Sequence, residues 1–139
     1  MKFVPVPVEK LDEMWSEISV ELQKPIEMTP NKVDLNSVLN DAKNGAYLIW
    51  VVLCDEEVIA VVSTRIITYP KGRSLAMDFI GGTRMKEWLP LAMQSVEDHA
   101  RHNNCNFLEG FGRRAWLKWL EKYDWKQAYI TFQKDLDYE

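Results

Sequence analysis

One stretch, SLAMDFIGGTRMKEWLPLAMQSVEDHAR from Ser74 to Arg101, restricts the fold more than any other part of the chain. Ser74–Ile80 is an apolar strand-like segment with a single charge inside it, Asp78. Gly81-Gly82 is expected to break that strand, because glycine turns the chain without a Cβ penalty. Beyond the glycines, Met85, Trp88, Leu89, Ala92, Val96 and Ala100 recur with a period near 3.6 residues. This spacing predicts a helix over about Thr83–Arg101 with that face turned inward. A strand that enters a helix through glycines can offer backbone N–H groups to an anion. Gly81, Gly82, Thr83, Arg84 and Lys86 are therefore either a shortened phosphate loop or a glycine turn with solvated cations.

The flanking sequence supplies the remaining elements. Lys2–Val8 alternates and reads as a short strand, its prolines placing it at a sheet edge. Leu11, Met14, Trp15, Ile18 and Leu22 make one helical face, ended by Pro25 and followed by a loop, PIEMTPNK. Asp34 is positioned to cap a second helix with Leu35, Val38, Leu39 and Ala42 inward, and Asn44-Gly45 stops it. AYLIWVVLC then reads as a strand buried on both faces, with VIAVVSTRIIT as its hairpin partner across Asp55-Glu56-Glu57. YPKGR turns the chain into the Ser74 strand. After the long helix come a short strand, FLEG, and a helix over about Arg114–Tyr123 with Trp116, Leu117 and Leu120 inward. Trp125–Lys134, with Ala128, Ile130 and Phe132 alternating, is expected to be a last strand. The order β-α-α-β-β-β-α-β-α-β predicts an α/β fold: one mixed sheet with helices on both faces, in a single domain over residues 1–139.

Composition narrows the function classes. With 47% hydrophobic residues, 6 Trp, 5 Tyr and 5 Phe, the chain has enough apolar material for a core. A net charge of −4 argues against general nucleic-acid binding while leaving room for a local basic patch. Two cysteines, Cys54 and Cys105, are too few for a disulfide scaffold and are expected to be reduced. No signal-peptide core and no apolar run long enough to span a bilayer is present, so a soluble, non-secreted protein is expected.

Across its whole length this order resembles the GNAT fold of acyl-CoA-dependent N-acyltransferases. KFVPVPVEKLDEMWSEI looks like the first strand and helix of that family, and AWLKWLEKYDW like its last helix and following aromatic turn. FGRRAWLKWLEKYDW looks closer still to small GNAT-like proteins encoded by tailed bacteriophages, which keep a Gly-Arg, here Gly112-Arg113, and aromatics corresponding to Trp116 and Trp125. The resemblance implies acetyl-CoA as cofactor if the protein is active, and no cofactor if it is degenerate. It also implies a location in the cytoplasm of an infected bacterial host or inside a virion, with a virion or host protein as partner.

Two departures from the family pattern are visible. Active members hold the cofactor pyrophosphate on a Q/R-x-x-G-x-G/A loop, whereas this chain reads IGGTRMK from Ile80 to Lys86. The family's frequent general-acid tyrosine corresponds to Leu120, and Tyr123 is about a turn out of phase. The resemblance makes Asp78 and Glu109 the candidate bases for an amine, and a carboxylate among apolar neighbours would have the raised pKa that suits such work. The alternative for each is a solvent-side strand carboxylate. His99, His102 and Cys105 have a metal-like spacing but no fourth ligand, so no metal is expected. Arg114, Lys118 and Lys122 form a cationic stripe, either a solvated face or a patch for an acidic partner or nucleic acid. Trp119 lies off the Trp116/Leu120 face and is a candidate protein contact beside that stripe. These features favour a degenerate acetyltransferase with a structural or partner-binding role over an active N-acetyltransferase acting on a primary amine.

Overall fold

The computed structural model describes residues 1–28 and 32–138. Its elements are β1 (Lys2–Pro5), a 3-10 turn (Val8–Lys10), α1 (Leu11–Glu27), α2 (Leu35–Lys43), β2 (Leu48–Cys54), β3 (Glu57–Tyr69), β4 (Gly72–Gly82), α3 (Met85–His102) and β5 (Phe107–Gly110). They are followed by α4 (Leu117–Leu120), flanked by 3-10 turns at Arg114–Trp116 and Glu121–Tyr123. Among the described residues the strands form one five-stranded sheet in the order β1-β2-β3-β4-β5. All neighbours are antiparallel except β4 and β5.

The sheet is mixed and has helices on both faces, as the sequence pattern implies. On one face α3 buries Trp88, Leu89, Ala92, Met93 and Val96 against Trp50, Val62, Leu75 and Met77. On the other, Ile18 and Leu22 of α1 and Val38 of α2 pack on Ile49, Val51, Val61 and Phe79. Strand β2 therefore loses both faces to the core, which explains its unbroken apolar run. The β2–β3 hairpin closes through Asp55 and Glu56, both at positive φ (50° and 69°). Positive φ at both positions gives the turn the twist that its strands require. Asp34 caps α2 in a reciprocal box, accepting from the Ser37 amide at 2.8 Å while the Asp34 amide donates to the Ser37 hydroxyl at 3.0 Å. No helix among the described residues is long and apolar enough to cross a membrane.

Four local expectations need correction. Pro25 does not end α1, which runs through it to Glu27. Pro25 removes the one helical bond its N–H would give to the Glu21 carbonyl, and the buried Ile26 anchors the last turn beyond it. The rest of the expected loop includes Thr29, Pro30 and Asn31, which lie outside the described residues. Gly81-Gly82 does not break β4. Gly81 pairs with Val61 and Gly82 with Ala60, so both glycines are strand residues. The α4 segment turns Trp119, Leu120 and Tyr123 toward the α3-side core, so its inward face differs from the expected Trp116, Leu117 and Leu120.

The last strand, Trp125–Lys134, does not form. Trp125 lies against Gly110, and Tyr129 shares a cavity wall with Phe107, so this segment runs beside β5 without a ladder. Ile130 and Phe132 of the expected inner face stay 63% and 89% exposed, so no buried face holds the segment in register as a strand.

Candidate functional site

The site is shaped by where β4 and β5 part. They pair only from Ser74/Phe107 to Met77/Gly110, and β4 then continues alone on that side to Gly82. At the parting point β4 carries a bulge: Ser63 pairs with Phe79 and Thr64 with Met77, so Asp78 is the extra residue. A bulge re-aims the side chain it carries. Asp78 is turned to Arg65, which holds it at two points, Nε–Oδ2 at 2.5 Å and a second nitrogen–Oδ1 at 3.3 Å. The Asp78 side chain is 9% exposed. Its partner is therefore a guanidinium, where the sequence reading had apolar neighbours. Tyr47 sits nearby, its hydroxyl pKa raised first by burial and then by the charge of Asp78.

Glu109 pairs across the parallel ladder with Ala76, on the same side of the sheet as Arg65. Its Oε2 accepts from the Tyr69 hydroxyl at 2.8 Å and from the Ser74 hydroxyl. The Glu109 bond raises the Tyr69 pKa. Tyr69, Phe107, Glu109 and Tyr129 line a cavity of about 330 Å³. The two candidate carboxylates thus share one sheet face, each already held by a side chain from a neighbouring strand.

The β4–α3 junction is two residues long, Thr83 and Arg84. The Thr83 amide donates to the Ile59 carbonyl at 3.0 Å. Its carbonyl accepts from Trp88 Nε1 at 2.8 Å. Arg84 sits in the left-handed region (φ 59°) and closes its guanidinium on Glu87 at 2.6 and 2.9 Å, with Cys54 Sγ 3.2 Å away. Arg84 in turn holds the Glu87 carboxyl below its usual range. The glycines upstream answer to packing. A Cβ on Gly81 would fall 2.0 Å from the Glu21 carbonyl oxygen of α1. One on Gly82 (φ 133°) would fall 2.4 Å from the Ala60 Cα.

Lys86 takes a different course from Arg84. Its ammonium lies 5.9 Å from the Trp119 ring centroid, and those of Lys118 and Lys122 lie 5.9 and 5.8 Å from the same ring. Trp119 is half-buried against the α3-side core. Each exposed cation–ring contact is worth about 0.5–1 kcal/mol. The ring attracts each ammonium without neutralising it, so the positive potential of the group stays in place. The ion pairs among the described residues engage other cations: Lys43, Arg65, Arg84 and Arg101.

Two sequence-level candidates point elsewhere. Tyr123 is half-buried against the core at the end of the α4 segment. The His99 ring stands edge-on to Trp50 at 5.4 Å, and His102 Nδ1 contacts the Asp98 carbonyl at 2.8 Å. Among the described residues no three His, Cys, Asp or Glu side chains gather in a way that could hold a metal ion.

No family model and no curated protein matches the chain. Solved structures do. A probable acetyltransferase superposes with a TM-score of 0.74 over all of both chains at 14% identity. A predicted acetyltransferase from Clostridium acetobutylicum, solved with acetyl-CoA, gives 0.71 over 96% of this chain and 95% of that one at 13% identity. Glucosamine-6-phosphate N-acetyltransferase from Arabidopsis thaliana gives 0.68 over 98% of each at 13% identity. The fold is GNAT-like.

Within this GNAT-like frame, three polar partners escaped the sequence reading: Arg65, Tyr69 and Ser74. Arg65 left a usable signal. It is the one charge within VIAVVSTRIIT, and a cation in an apolar strand calls for a carboxylate on its neighbour. Tyr69 and Ser74 left none, because their bonds to Glu109 span 40 and 35 residues.

Proposed function

We propose that this GNAT-like protein is a degenerate acetyltransferase of the phage type, acting in partner binding or as a virion-associated component without turning over acyl-CoA. The observation that carries the reading is the two-residue β4–α3 junction, whose Thr83 amide and Arg84 side chain are already engaged. A pyrophosphate cradle needs several convergent N–H donors at the helix start. Gly81 and Gly82, which would supply its flexibility, are tied into β4 by pairing with β3 and by the close approach of Glu21 and Ala60. The residues present do not fit the pyrophosphate of an acyl-CoA. Losing two donors to charged oxygens, at about 1.5–3 kcal/mol each, weakens binding by two to four orders of magnitude. The half-buried Tyr123 also offers no general acid at the Leu120 position.

The test is calorimetric titration with acetyl-CoA, paired with a free-CoA release assay on polyamines and lysine peptides. The expected result is no saturation below the millimolar range and no CoA release. One observation favours the second reading, an active N-acetyltransferase acting on a primary amine: the bulge that sets Asp78 where β4 leaves β5. Micromolar binding with turnover, lost in Asp78→Asn or Glu109→Gln, would establish that reading instead.

A further inference from the structure

We infer that Lys86, Lys118 and Lys122, gathered on the ring of Trp119, form a docking site for an acidic segment of a partner protein. The inference rests on the binding-protein reading above and names the chemistry of the partner. Two stretches 32 residues apart in sequence, the start of α3 and the α4 segment, converge on one indole. The three lysines are exposed, and each ammonium lies within 6 Å of the same centroid. Lys86 stands in the first turn of an 18-residue helix, whose positive end adds to the local potential. Arg114, exposed and four residues before Lys118, extends the stripe, and Glu121 is the sole anion between Arg113 and Lys122.

Charge complementarity selects the occupant. The whole chain carries a net charge of −4, so this cluster is a small positive island on an acidic protein. A long polyanion such as nucleic acid would meet repulsion as soon as it left the island, whereas a short acidic segment would not. The ring itself is half-buried and already faced by ammoniums, so it offers no open platform for base stacking. What remains is a set of three exposed ammoniums around one indole, which suits neighbouring carboxylates on a flexible peptide.

The test is fluorescence anisotropy of a fluorescein-labelled decaglutamate peptide titrated with the full chain at low salt. A labelled ten-nucleotide single strand and a neutral Gly/Ser peptide serve as comparisons. The expected result is saturable binding of decaglutamate that weakens about tenfold in Lys118→Glu/Lys122→Glu and in Lys86→Glu and fades with added salt. These positions are exposed, and an unchanged melting temperature in each variant confirms that the fold is intact. A second pair, Lys118→Gln/Lys122→Gln, should give an intermediate loss. Absence of decaglutamate binding, wild-type binding in the charge-reversed variants, tighter binding of the oligonucleotide, or displacement of the peptide by acetyl-CoA would each overturn the assignment. Acyl-CoA turnover that leaves peptide binding untouched would sink the non-catalytic reading alone. A failed peptide titration without CoA binding would sink the docking site alone.

Discussion

Replacing Gly81 with alanine separates a packing glycine from a phosphate-binding one. The added Cβ would lie 2.0 Å from the Glu21 carbonyl oxygen, 3.1 Å from the Glu21 carbonyl carbon and 3.2 Å from Pro25 Cδ. A carbon and an oxygen need more than 3 Å, so α1 must lift from β4 by about 1 Å or more. The obstacle is backbone, so no rotamer change relieves it. Ile18 and Leu22 of α1 are both 0% exposed, and lifting the helix loosens their contacts with β3 and β4. Overpacking of a rigid core costs typically 1–3 kcal/mol, and a helix-backbone clash belongs at the upper end. The expected loss is about 3 kcal/mol, or roughly 10 °C in melting temperature for a chain of this size. Urea unfolding gives the free energy and calorimetry the melting point. Gly45→Ala is the internal comparison: nothing lies within 4 Å of its Cβ position, and only the positive φ of 82° is strained. That variant should lose only about 1 kcal/mol. A Gly81→Ala protein as stable as the parent would refute the close approach of α1. If it also lost affinity for acetyl-CoA, the glycine would belong to a ligand site.

Two further perturbations read the interior. Arg65→Met strands the 9%-exposed Asp78 carboxylate, and the expected cost is about 1–3 kcal/mol in urea unfolding, moderated because Arg65 itself is 37% exposed. Adding Asp78→Asn should recover much of it, and no recovery would deny the pairing. His99 has its pKa lowered by burial and secondarily by His102, and it shares a cavity wall with Arg65. Because the folded state holds its proton less tightly than the unfolded chain, stability should be full above about pH 6.5. It should fall as pH drops below that value toward the depressed folded pKa. His99→Gln should flatten the melting-temperature profile in that window, and an unchanged slope would count against the assignment.

Elements whose cause is local were legible in the sequence. The α3 face was set by its own spacing, and Trp88, Leu89, Ala92 and Val96 are buried where that spacing put them. Asp34 lies three residues from the amide it caps, so its role could be seen in the string itself. The doubly buried β2 followed from an apolar run with no polar face to spare. The mixed sheet with helices on both faces followed from these elements, because strands and helices in that order leave few ways to cover both faces of a sheet.

Tertiary structure decided the residues whose partners lie far along the chain. Gly81 looks like a turn in sequence, but it is glycine because a helix backbone from 60 residues earlier passes over it. The apolar alternation of Trp125–Lys134 was real, yet alternation states only which side chains match. A strand also needs a surface to bury that face on, and Ile130 and Phe132 find none. Lys86 and Lys118 belonged to separate motifs in the sequence. They face one indole because α3 and α4 pack on the same side of the sheet. Hydrophobic periodicity reports how each segment meets the core, whereas the meeting of polar groups between segments is fixed only when the core assembles them.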